Sequence, residues 1–179
     1  MAATKWNQDL NAGQDWMANL NLLKSDGVTN RDITNHTLES KVKRHLKSVA
    51  AKLSLRIRIA DAATGSISLM LTAAETTLLK SGKYVYDVEV TAPNTLTVKE
   101  ATGTFIAGEV ITGATSGAVG AILTHSTLTK ITYTVTSGTF SMMEIINGTT
   151  FNAKVVTNDG KPIDRVIEGV FTIRPEVTD

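Results

Sequence analysis

The residues of this chain that could do chemistry are few and scattered. The three histidines, His36, His45 and His125, lie far apart, and none sits in a metal-spaced motif. There is no cysteine, which excludes disulfides, thiolate metal sites and cysteine nucleophiles. The run Gly113-Ala-Thr-Ser-Gly117-Ala-Val-Gly120 has the glycine content of a phosphate-cradling loop. It lacks the lysine of a P-loop, and no helical pattern follows it, so its glycines read as turn residues. Asp15, Asp26, Asp32 and Asp61 fall at turn or cap positions, where aspartate is common, and no calcium-loop spacing is present. Asn35-His-Thr and Asn147-Gly-Thr match glycosylation acceptors, which matter only in a secreted chain. No nucleophile–base or paired-carboxylate constellation stands out. The expectation is a non-enzymatic protein with no catalytic residue, no cofactor, no metal and no small-molecule substrate.

One charged feature is local. Lys41, Lys43, Arg44, Lys47, Lys52, Arg56 and Arg58 follow one another with no acid between Lys41 and Arg58. Such a segment suits docking to an acidic neighbouring subunit. It equally suits the solvated faces of two strands, with lysine guarding an edge. Nucleic acid is disfavoured, because the aromatic interleaving that single strands need is missing. The net charge of +1 gives no global reason for nucleic-acid or membrane binding. The N-terminus has no apolar run of a signal peptide, and no stretch is long enough to span a bilayer, so membrane insertion is not expected.

The elements that would position these residues are strands. Residues 103–118 (GTFIAGEVITGATSGA) are echoed 35 positions later by residues 138–153 (GTFSMMEIINGTTFNA), with eight of the sixteen positions identical. Phe105 and Phe140, Glu109 and Glu144, and Gly113 and Gly148 are among the matched pairs. A repeat of this size packs one small β-unit against its twin, with each Phe plugging the core. Each Glu, four residues on, would point outward or bond a turn amide. Between Thr91 and Thr157 there are 17 threonines and only six charged residues, a composition for short strands and tight turns. Strands are expected over 95–99, 109–112, 118–123, 130–135, 144–146 and 153–156. They would make a compact Thr/Gly-rich β-roll or small barrel over residues 93–157.

The flanks, 1–92 and 158–179, read as a larger, discontinuous β-domain. Trp16, Leu20 and Leu22 lie in an early strand that ends at Asp26-Gly27. Leu53, Leu55, Ile57 and Ile59 alternate with polar residues, as do Ile67, Leu69 and Leu71. Residues 85–90 and 166–173 supply two more strands, and 158–160 reads as a hairpin signal. One short helix is expected over Thr72–Lys80, with Thr72 and Glu75 as a capping box. The segment 42–53 fits either period, and a strand to about residue 47 is favoured.

GlnAspTrp (14–16), AspIleThr (32–34), the run from Gly65 to Val90 and the closing RVIEGVFTIRPEVT resemble a domain of tailed-bacteriophage structural proteins. That domain is similar to the immunoglobulin-like module of baseplate upper proteins and tail-fibre adaptors. The resemblance covers about 110 residues, a suitable size for such a sandwich. It implies an all-β fold, an immunoglobulin-like sandwich with the small barrel or roll inserted between its last two strands. It also implies a virion protein of the tail, baseplate or fibre mount, assembled in the host cytoplasm. Its partners would be other phage structural proteins and copies of itself. A capsid-decoration or head-fibre protein, and a glycan- or receptor-binding module, are the alternatives. A tyrosine near the start of the second-last sandwich strand resembles the tyrosine corner of such domains, with Tyr84 first and Tyr86 second for that role. The Lys41–Arg58 segment and residues 174–179 are expected to face protein neighbours.

Overall fold

The structure, a computed structural model, describes residues 3–127 and 129–175, so most of the 174–179 segment lies outside the described residues. The chain is almost entirely β. It divides into two compact units, one holding the residues up to Thr91 and those from Ile163 onward, the other Ala92–Pro162.

In the first unit, β1 (Thr4–Lys5) and β2 (Gln8–Asn11) run parallel to β14 (Ile163–Arg174), one beyond the other. Next to β14 lies β7 (Gly82–Thr91), and next to that β4 (Thr37–Lys43). A second sheet has the order β3 (Trp16–Asn21), β6 (Ser66–Leu71), β5 (Arg56–Asp61). Burial alternates along β6 and β7, the period of strands with one face covered. The covered faces of both sheets share one core, with Ile67, Leu69 and Leu71 from one and Tyr86, Val88 and Phe171 from the other. The helix α1 (Ala73–Thr77) joins β6 to β7. Thr72 caps it: the Glu75 N–H donates to Thr72 Oγ1 while the Thr72 N–H donates to the Glu75 carboxylate at 2.8 Å.

Two local expectations are corrected. The strand expected to reach residue 47 stops at Lys43, because Arg44 turns back to lay its guanidinium 4.7 Å over the Tyr84 ring. Leu46 and Val49 then stand in solvent, at 80% and 100% exposure. The alternation from Leu53 to Ile59 belongs to two sheets. Leu53 bridges Val42, and Leu55 exchanges bonds with Ser40 Oγ, before the chain crosses to pair with β6.

The second unit is a closed six-stranded barrel. Its strands are β8 (Asn94–Gly103), β9 (Val110–Gly113), β10 (Val119–Thr127), β11 (Lys130–Ser137), β12 (Ile145–Asn147) and β13 (Phe151–Asn158), in the cyclic order β10-β11-β8-β13-β12-β9. Of the barrel and the roll, the chain forms the barrel. Exchanging β8 with β11, β9 with β12 and β10 with β13 returns the same ring. The register obeys that exchange. Leu96 pairs with Ile131, and Thr112 with Asn147, each with its own counterpart 35 residues away. A local pseudo-twofold therefore passes through these two pairs. Register shifts recur at matching places, between Ile122 and Thr124 and between Val155 and Thr157.

The halves differ in one turn. The Gly113 N–H donates to the Ala118 carbonyl, whereas the Gly148 N–H donates to the Phe151 carbonyl. The second hairpin is shorter, so Phe151 occupies the place that Ala118 holds in the first half.

Candidate functional site

The repeated glutamates of the barrel, Glu144 buried and Glu109 half-buried, each serve the opposite half. Glu144, 5% exposed, accepts from the Thr115 N–H (3.1 Å), the Ser116 N–H (2.9 Å), the Ser116 hydroxyl (2.8 Å) and the Ser141 N–H (2.5 Å). Glu109 accepts from the Thr150 N–H at 2.7 Å and the Thr150 hydroxyl at 3.0 Å. The first glutamate thus ties down the second half's hairpin turn, and the second ties down the first half's. Burial opposes ionisation of both, but the N–H and hydroxyl donors outweigh it and hold both carboxyls below the ordinary glutamate value. The loop from Gly113 to Gly120 does cradle an anion: it is this chain's own Glu144 carboxylate.

Phe105 and Phe140 are both buried, at 2% and 3% exposure. Phe105 meets Phe151 edge-on with centroids 4.2 Å apart, and Phe140 meets Tyr133 edge-on at 5.3 Å. The Tyr133 hydroxyl donates to Asn158, whose amide donates to the Phe140 carbonyl. All four large aromatics of the barrel are therefore inside it.

In the other unit the hydroxyl expected to reach back to the backbone is that of Tyr86, not Tyr84. It donates to the Trp6 carbonyl at 2.5 Å, and burial raises its pKa well above the ordinary tyrosine value. Tyr84 is covered by Arg44 instead. Tyr86 stacks on Phe171 at 4.2 Å, Trp16 meets Phe171 edge-on at 5.3 Å, and Trp6 lies 6.1 Å from Trp16. Gly169 faces Tyr86 across the sheet, and a Cβ there would collide with the Trp6 carbonyl oxygen. Its missing side chain opens the path for the hydroxyl. Sequence reasoning missed Trp6 and Gly169. The one signal was an aromatic and a glycine on strands that the alternation could not place in register.

The basic segment is not a single face. Lys41 and Lys43 stand on the outer side of β4, where Lys41 faces Asp87 in register. Arg165 lies among Asp87 (3.4 Å) and Glu89 (3.8 Å) of the neighbouring β7 and Glu168 (3.9 Å) of its own strand. Arg56 and Arg58 belong to the other sheet, and Arg56 pairs with Glu75 at 3.0 Å. Arg44 lies against Tyr84, while Lys47 and Lys52 are exposed in the turn. The acids that sequence order hides come from β7, α1 and β14.

The histidines stay apart, and among the described residues no group of three or more His, Asp or Glu side chains is placed to hold a metal ion. His36 Nδ1 sits 2.9 Å from the Thr34 carbonyl, and His125 is exposed beside Phe105. Asp15, Asp26, Asp32 and Asp61 each accept from a nearby backbone N–H, of Ala73, Val28, Thr34 and Ala63 respectively. Hydrogen bonds from Thr29 and Val28 lower the Asp26 pKa to about 2. Comparison with models of known families, and with curated proteins, found no match.

Proposed function

We propose that this chain is a non-enzymatic structural protein of a tailed-phage virion, working by protein–protein assembly in the tail, baseplate or fibre-attachment region. The observation that carries this reading is the use of the Glu109 and Glu144 carboxylates. The barrel's paired carboxylates are saturated by the opposite half's turns, which leaves them to rigidity rather than to chemistry. The first unit supports the same reading. Lettered A to G in chain order, its strands run A-G-F-C in one sheet and B-E-D in the other, an order that supports an immunoglobulin-like reading with the first strand moved to the G edge. Such a sandwich is a stiff mount, and the barrel is a second body carried between its last two strands. A glycan- or receptor-binding role is less well supported, because the barrel's aromatics lie in its core. Fold resemblance alone does not assign a function, so the test is physical. Mass spectrometry and image reconstruction of purified particles should find several symmetry-related copies in contact with tail proteins. Absence from purified particles overturns the proposal, and copies on the capsid shell favour the decoration reading.

A further inference from the structure

Four stretches form the edges of the two sheets in the first unit, and three carry charges that discourage pairing. β5 has Arg56 and Arg58, β4 has Lys41 and Lys43, and the β1–β2 edge has Lys5 and Asp9. The fourth, β3, reads Trp-Met-Ala-Asn-Leu-Asn, with no charge and no proline. It pairs with β6 alone among the strands. Beyond its end the Leu22 N–H donates to the Gly65 carbonyl, so alternation turns the even-numbered backbone groups toward β6. The N–H and C=O groups of Met17, Asn19 and Asn21 therefore face away from the sheet.

Beside this edge lies a cleft of about 580 Å³. Trp6, Val166 and Ile167 line it from one sheet, and Leu20 and Leu22 from the other. Lys24 is the one ionisable side chain in its lining. One sheet has five strands and the other three. The cleft meets the open edge of the smaller sheet at Leu20 and Asn21 and continues along Leu22, Leu23 and Lys24. Among the described residues of the first unit's sheet edges, open backbone groups, an edge without charge or proline and a largely apolar cleft occur together at this place.

We propose that β3 and this cleft receive one extended segment of another protein chain as an added strand. Its backbone pairs with Met17, Asn19 and Asn21, and its alternate side chains are apolar and enter the cleft. Its middle is uncharged, since the lining offers no acid and no second cation. An acidic side chain or a C-terminal carboxylate meets Lys24. The proposal goes beyond the assembly reading and does not depend on the chain being a virion protein.

The test is selection of a displayed random-peptide library, about 12 residues long to exceed a typical strand, on the full chain. Enriched peptides should be apolar at alternate positions, and should slow amide exchange at Met17, Asn19 and Asn21. Asn19→Pro removes an outward N–H without touching the β6 ladder, and should weaken binding at least about tenfold. Thr4→Trp, at the cleft mouth, should do the same without altering β3, which covers the case of an Asn19→Pro chain that does not fold. Arg58→Glu on the opposite edge should leave binding unchanged. No enrichment, peptides without alternation, or binding indifferent to both blocking variants would overturn the proposal. So would dimers of the unliganded chain that Asn19→Pro dissolves, since they would give the edge to a second copy.

Discussion

The two halves of the barrel share a ring of strands, a register and a pair of crossed carboxylates, yet they are not equally built. Glu144 is buried and accepts four bonds, while Glu109 is half-buried and holds the shorter turn. Gly108 and Met143 sit at matching places, donating to the Ile122 and Val155 carbonyls, and both have positive φ, 86° and 66°. In the first half a glycine adopts that conformation at little cost; in the second a methionine does so under strain. The duplication fixes where chain turns and carboxylates go. The energetic weight given to each place has then diverged.

The largest expected break comes from the core plugs. Phe105→Ala and Phe140→Ala should each cost about 3–5 kcal/mol of barrel stability. Thermal melts followed by hydrogen exchange would show the loss within residues 92–162, with the β3–β6 and β7–β14 ladders still protected. Equal losses in both ladders would mean that the two units unfold together.

Next come the carboxylates. Glu144→Ala strands three turn amides and a hydroxyl and should cost about 3 kcal/mol, whereas Glu109→Ala should cost about 1 kcal/mol. Denaturant titration of both variants sharpens the comparison, and equal costs would refute the asymmetry. The same pair predicts acid sensitivity. Both carboxyls are held below the ordinary value of 4.5, so their contribution is complete above that pH and is lost as pH falls through their lowered values. Melting temperature should fall with acid below about pH 4.5, and Glu144→Gln should flatten that fall more than Glu109→Gln.

The smallest effect is at the strained turn. Met143→Gly should stabilise, and Gly108→Met should destabilise, each by up to about 1 kcal/mol. A Cβ at Gly108 would meet open space, so the second change reads backbone strain alone. A loss of stability in Met143→Gly would show that the methionine packs usefully.

Much of the fold was legible because the repeat and the two-residue alternation are local. Phe105 and Phe140 could be placed in a core from their spacing alone. The short helix followed from Thr72 and Glu75, whose capping bonds span a single turn. What was hidden depended on register between distant strands. Tyr84 and Tyr86 are two residues apart on one face, and only the position of Trp6 against Gly169 decides which hydroxyl finds a carbonyl. The basic segment looked one-sided for the same reason, because Asp87, Glu89 and Glu75 arrive from other elements. The crossed glutamates were half visible. Their identity in both copies was plain, but the bond runs to the other copy's turn, which no linear spacing reveals.

The barrel, Ala92–Pro162, is a compact unit set between two strands of the other, and that other unit is expected to fold without it. Thr91 faces Ile163 directly in the β7–β14 ladder, so the barrel can be cut out where that ladder ends. Residues 92–162 would be replaced by a two-residue Asn-Gly turn, the connection suited to such a hairpin. The expected product is a soluble protein with one cooperative melting transition and protected amides along β6, β7 and β14. An unfolded or aggregated product would contradict that expectation.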